Sequence, residues 1–198
     1  MVNCKDSNKY IQLYQDFLHP NPNINSQAIF ILRREFRVDF MKNLLVNLKE
    51  EDIVLRRKSI LALSEYGEEI FNSIVPLYFN NQNKIFKVSC LKIIIKVIVN
   101  FDLKQLNQDL MKLVDSAIND DSPEITLSVI SLLRQLGFNG RDILMKTSRD
   151  KDLLKAKASV SALLEMKDQN VNDFFDELLN DKSIDPMIKE DILREKLI

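Results

Sequence analysis

Apolar and small residues recur four apart along this chain, in blocks that repeat about every thirty residues. Two blocks are clearest, Leu55-Arg56-Arg57-Lys58-Ser59-Ile60-Leu61-Ala62-Leu63-Ser64-Glu65-Tyr66-Gly67 and Ile125-Thr126-Leu127-Ser128-Val129-Ile130-Ser131-Leu132-Leu133-Arg134-Gln135-Leu136-Gly137, each closed by a glycine. Leu55, Ser59 and Leu63 share one face of a helix, because residues four apart stand one above the other. The same triplet stands 31 residues earlier as Ile24, Ala28 and Leu32, and 31 residues later as Phe86, Cys90 and Ile94. A fixed period long enough for two helices is the mark of an α-solenoid, in which no unit buries its apolar face alone. The pattern predicts an all-α fold, an α-solenoid of short, about 31-residue helical repeats, with 1–198 as a single domain.

Within that frame, the prolines of His19-Pro20-Asn21-Pro22-Asn23 stop a helix over 10–18, and Asn23 stands where it can cap the helix carrying Ile24, Ala28 and Leu32. Outer helices are then expected over 40–48, 71–79, 106–118, 141–147 and 171–179, and inner helices over 53–66, 85–99, 124–136, 153–166 and 186–197. The step from Phe86 to Ile125 stretches to 39 residues, which predicts about two extra helical turns around 100–108. The later anchors, Lys155, Ser159 and Leu163, then Ile188, Ile192 and Lys196, are less apolar, as terminal repeats of a stack are. Tyr66 and Phe86 fall in the anchor pattern and are expected in the core. The cluster from Ile93 to Val99 is apolar on more than one face, which predicts a central helix buried on both sides. β-branched residues follow helical rather than alternating order, so strands have little support.

Composition narrows the possible partners. With 45% hydrophobic residues in 198, the chain has material for a continuous core. The 28 basic and 29 acidic residues leave a formal charge of -1, so no overall basic field draws the chain to nucleic acid or anionic lipid. Cys4 and Cys90 supply neither a disulfide framework nor metal-ligand spacing, which suits a reducing cytoplasm. The N-terminal residues lack the basic-then-apolar order of a signal peptide, and the apolar run at 93–99 is interrupted by Lys96 and too short to span a bilayer. A cytoplasmic protein without membrane insertion is expected.

Candidate chemistry is sparse. His19 is the one histidine and sits in a proline turn, where a loop role is expected. There is no Gly-x-Gly-x-x-Gly and no phosphate-cradling lysine loop. The acidic groups Glu50-Glu51-Asp52, Asp120-Asp121 and Asp150-x-Asp152 each precede an inner helix, where carboxylates satisfy free N–H groups and the positive end of the helix dipole. Arg57, Lys58, Arg33, Arg34 and Lys92 are less explained by packing; together they form the candidate set for engaging carboxylates of a ligand or acidic partner.

Four segments in register, His19-Pro20-Asn21-Pro22-Asn23-Ile24, Glu51-Asp52-Ile53-Val54-Leu55-Arg56-Arg57, Val88-Ser89-Cys90-Leu91-Lys92 and Ile184-Asp185-Pro186-Met187-Ile188-Lys189-Glu190, carry a resemblance to a known family. The chain resembles the HEAT-like repeat phycobilin lyases of the E/F type, and within them the Z-type phycoerythrin lyase subunits. Lys167 stands where the repeat glycine of that pattern would fall. The resemblance implies a cyanobacterial cytoplasmic subunit, or chaperone-like partner, of a phycobilin lyase. Such a protein assists covalent attachment of phycoerythrobilin to cysteines of phycoerythrin subunits, acting beside a Y-type lyase subunit and holding bilin transiently at most. The thioether forms on the acceptor's cysteine, so an accessory subunit needs no nucleophile of its own. Resemblance to HEAT repeats also implies that Arg56 and Lys87, just after the first anchor, pair with acids placed like Glu50, Asp120 and Asp150 in a ladder between inner helices. A phycobilisome-degradation adaptor of related architecture, and a protein-binding scaffold without bilin chemistry, are the alternatives.

Overall fold

A computed structural model describes residues 4–166 and 168–196. All regular structure among them is helical. The chain divides into two compact units, Met1–Ile70 and Phe71–Ile198. No helix among the described residues is long and apolar enough to cross a membrane.

The first unit holds α1 (Cys4–Leu18), α2 (Pro22–Glu35), α3 (Arg37–Asn47) and α4 (Ile53–Ser64), followed by a 3₁₀ turn at Gly67–Ile70. The residue that caps α2 is Asn21 rather than Asn23. Asn21 is extended, its side chain accepts the Asn23 N–H at 3.0 Å, and Pro22 occupies the first turn, where its missing N–H costs nothing. Between α1 and α3 an aromatic cluster forms the core, with the Phe17 and Phe40 rings edge to face at 5.4 Å. Two amides step along the same seam: Asn43 Nδ2 donates to Tyr10 Oη at 2.6 Å, and Asn47 Nδ2 to Tyr14 Oη at 2.8 Å and Ser59 Oγ at 3.0 Å.

The second unit runs through α5 (Phe71–Phe79), α6 (Lys84–Asn100), α7 (Gln108–Ile118), α8 (Pro123–Gln135), α9 (Phe138–Thr147), α10 (Leu153–Leu164), α11 (Gln169–Asn180) and α12 (Pro186–Lys196). α6 packs on α8, α8 on α10 and α10 on α12, while α5 and α7 flank α6 and α8, and α9 lies against α8 and α10. The helices expected as inner ones, α6, α8, α10 and α12, thus contact one another in succession in this unit. α6 is buried as expected at Ile93, Ile94, Val97 and Ile98.

The long step between Phe86 and Ile125 is taken up in two parts: α6 runs 14 residues past its first anchor where α4 and α10 each run nine, about one extra turn, and the rest is not helical. α6 ends at Asn100, Asp102 takes a left-handed conformation (φ 51°), and the Leu103 N–H reaches back to the Ile98 carbonyl at 3.0 Å, a Schellman-type stop. Residues 103–107 form an irregular connection, and Asn107 caps α7 by accepting the Leu110 N–H at 2.9 Å.

Most anchors are buried: Ala28, Leu32, Ser59, Leu63, Phe86, Cys90, Ile94, Ile125, Val129, Leu133, Ser159, Leu163, Ile188 and Ile192. The first anchors of the early blocks depart from the pattern. Ile24 is exposed and Leu55 is half-buried, whereas Phe86, Ile125 and Ile188, at the same place in their helices, are buried. Lys167, residue 197 and the side chains of Cys4 and Lys196 lie outside the described residues.

Candidate functional site

The expected site residues have different surroundings. Lys58 is committed: its ammonium donates to the carbonyls of Leu18 at 2.5 Å and His19 at 2.8 Å, closing the C-terminal end of α1. Arg33 is half-buried, with its guanidinium 5.1 Å from the centroid of the Tyr66 ring and Nη1 3.5 Å from Glu65 Oε2. Arg37 also lies over that ring and pairs with Glu69. Tyr66 is buried as expected, and burial pushes its phenol up to about 12. Arg34, Arg57 and Lys92 are exposed, and none makes an ion pair or side-chain hydrogen bond with another described residue. Arg34 and Arg57 belong to the first unit and Lys92 to the second.

Arg56 does not join a ladder between helices. Its guanidinium donates to the Glu50 backbone carbonyl in the turn just before its own helix. Lys87 does make the expected step, its ammonium 3.6 Å from Asp120 Oδ2, whereas Asp150 is held by Lys155 of its own block at 2.8 Å. The capping role read for the acids is seen at Asp52, which accepts the N–H groups of Val54 (2.8 Å) and Leu55 (3.1 Å), and at Asp152, which accepts those of Leu154 (2.9 Å) and Lys155 (3.3 Å).

A second ladder escaped the sequence reading. Arg33 and Glu65 have the same register as Arg134 and Glu165, nine and ten residues beyond the first anchor of their blocks, and the latter pair closes at 2.8 Å. That recurrence was legible in the sequence. Arg141 was also missed: buried against Phe138, its guanidinium sits 4.4 Å from the ring centroid and donates to Asp168 at 2.8 Å and Asp142 at 3.1 Å. Asp168 is held below the usual carboxylate range by that hydrogen bond from Arg141.

Among the described residues, Cys90 and His19 are both engaged. Cys90 is fully buried in α6, and loss of solvation pushes its thiol up to about 12, so it carries no thiolate at neutral pH. His19 Nδ1 accepts the Asn21 N–H at 3.0 Å, the loop role its sequence position suggests. No group of three His, Cys, Asp or Glu side chains among the described residues is placed to hold a metal ion. Between α10 and α12 runs an open groove of about 770 Å³, walled by Leu154, Ala158 and Leu164 and edged by Lys157, which pairs with Asp191 at 2.9 Å, and by Arg194. Its volume is that of a small-molecule site.

These features define an all-helical protein whose exposed helix faces mix apolar and cationic side chains. No protein-family model matches the chain. It is 22% identical over 180 residues to the uncharacterized phycocyanin operon protein Z of Pseudanabaena tenuis (strain PCC 7409), covering 89% of this chain and 88% of that one. It is also 22% identical over 156 residues to the bilin biosynthesis protein CpeZ of Synechococcus sp. (strain WH8020), covering 76% of this chain and 84% of the other. Both relatives carry the Z designation, and the chain is similar to each of them along most of its length.

Proposed function

We propose that the protein is an accessory, chaperone-like partner in bilin attachment, presenting a phycobiliprotein subunit to a Y-type lyase subunit in the cytoplasm. The observation that carries this reading is similarity, over 89% and 76% of the chain, to two Z-type proteins, one named for bilin biosynthesis. The helix pairs within each unit are, on this reading, HEAT-like repeats whose faces hold partners. The bond-forming sulfur belongs to the acceptor subunit, which accords with a chain whose own Cys90 is buried and protonated. Phycoerythrobilin, where the chain meets it, is a transient non-covalent cargo for which the groove between α10 and α12 has sufficient volume.

Phycoerythrin is the acceptor suggested by the sequence resemblance. The name of one relative places that protein in a phycocyanin operon, which favours phycocyanin as a second acceptor to examine. The test is binding of the purified chain to the apo subunits of phycoerythrin and phycocyanin, measured by biolayer interferometry against their bilin-loaded forms. The proposal expects a preference for at least one apo subunit. Equal, negligible binding to every form would overturn it.

A further inference from the structure

Two expectations from the sequence meet on α6: an apolar run at 93–99, and Lys92 as a cation for an acidic partner. The core side of the helix is closed, but Ile85, Lys92 and Val99 are exposed, the two apolar ones to 46% and 55%. Val88 and Ile95, between them, are half-buried. Ile85, Val88, Lys92, Ile95 and Val99 follow one another at alternating steps of three and four, which places them in one stripe along one helix. From Ile85 to Val99 the stripe is about 21 Å long at the helical rise per residue.

The charges of α6 have one sign. The helix carries Lys84, Lys87, Lys92 and Lys96 and no acid, and α5, which packs on it, is uncharged. Lys87 is taken by Asp120. Lys92, and Lys96 half-buried one turn further on, make no ion pair or side-chain hydrogen bond with another described residue. On its other side α6 packs along α8, with ties at both ends: Lys87 to Asp120 just before α8, and the Asn139 amide just past α8 to the Lys104 carbonyl in the connection after α6. Leu127 and Ser131 occupy the same places beyond Ile125 that Val88 and Lys92 occupy beyond Phe86. Leu127 is 39% exposed and Ser131 half-buried, so α8 adds apolar surface and a small side chain beside the stripe. The acid of α8, Glu124, lies in its first turn, where the Ser122 hydroxyl donates to it at 2.6 Å. Lys92 and Lys96 are therefore uncompensated cations on an apolar stripe.

We propose that the α6 stripe docks one helix of a partner protein lengthwise, a helix with apolar residues at alternating steps of three and four and a carboxylate at the middle, facing Lys92. The spacing required of the partner is that of α6 itself, since helices packed along their lengths meet at matching steps. Seven residues fall slightly short of two full turns, so the stripe drifts by about 20° per heptad and the partner crosses α6 at a shallow angle of about 20°. Charge decides against a second copy of this chain as the occupant. Lys92 is the midpoint between Ile85 and Val99, so two α6 stripes paired in either direction would set Lys92 against Lys92. A carboxylate in that place accepts a charge-assisted hydrogen bond instead. The inference stands on α6 and does not depend on the bilin-attachment reading.

The experiment is fluorescence anisotropy with the whole chain and three labelled peptides, each held helical by a hydrocarbon staple on its outer side. The first has an apolar heptad stripe with glutamate at its central position, the second has lysine there, and the third is the glutamate peptide reordered so that no stripe remains. Wild type should bind the first about tenfold tighter than either other, a difference within the range of a charge pair at an interface. Lys92→Glu should reverse the preference toward the lysine peptide, and Lys92→Gln, the milder change, should abolish it. Val99→Ser, which removes only exposed apolar surface, should weaken binding of the glutamate peptide with helical circular dichroism unchanged. Sedimentation velocity and flotation with phosphatidylserine vesicles examine the other occupants. Equal binding of the three peptides, an undiminished preference in the folded Lys92 variants, self-association of the chain that Val99→Ser abolishes, or vesicle attachment that Lys92→Glu abolishes would each overturn the proposal.

Discussion

Arg57 and Lys58 are neighbours in sequence with different surroundings, and the difference is measurable. Arg57 has no partner among the described residues, so Arg57→Glu should leave the melting temperature unchanged. Lys58 satisfies two carbonyls at the end of α1, so Lys58→Glu should lower stability by about 1 kcal/mol, read as a fall of a few degrees by calorimetry. Asn47→Ala should cost more, about 1–3 kcal/mol, because it leaves Tyr14 and Ser59 without their donor in a buried seam. Cys90 should label slowly with a thiol reagent in the native protein and quickly in denaturant. Cys90 was legible because it occupies an anchor position, where periodicity alone demands burial. The role of Lys58 was not, since its partners lie about forty residues earlier and periodicity says which face a side chain is on, not what that face meets.

At the scale of elements, glycines and caps decide where helices stop. Gly137 has φ 55° and ψ -123°, a region that only glycine enters freely, so Gly137→Ala should destabilise by about 1–3 kcal/mol even though a Cβ there would touch nothing. Gly140→Ala should be worse, because a Cβ would lie 2.1 Å from the Leu133 carbonyl oxygen and force α9 away from α8. Urea unfolding of the two variants ranks them directly. Helix positions followed from the sequence wherever a capping acid met an apolar block, as at Asp52 and Asp152. The start of α2 was placed two residues off because either Asn21 or Asn23 offers a capping side chain, and only the backbone at Pro22 decides between them. The connection at 103–107 was read as helix because spacing counts residues without registering the left-handed stop at Asp102.

For the molecule as a whole, charge sets how stability responds to acid. Asp150 is held low by its hydrogen bond from Lys155, Asp168 by that from Arg141, and Asp181 first by Ser183 and then by Arg149. Because their folded-state values lie below the unfolded ones, their stabilisation is complete above the ordinary carboxylate value and disappears as pH falls through the folded values. The melting temperature should therefore stay level across neutral pH and drop below about pH 4, and Asp168→Asn should shrink that drop. A steep loss of stability between about pH 6 and 8 would contradict this origin. The helical architecture was legible because one triplet repeats with two helices' worth of residues between copies. The candidate cations were only partly so, since a basic residue bound to a carbonyl or stacked on a ring reads the same in sequence as one left open. The account's central claim, that this chain assists bilin attachment, is tested most directly by coexpression of a phycoerythrin or phycocyanin subunit, a bilin and a Y-type lyase subunit, with and without this chain. Covalent bilin on the purified subunit is then quantified by absorbance under denaturing conditions. The account predicts more bilin per subunit when the chain is present; the same yield with and without it, for both acceptors, would contradict the claim.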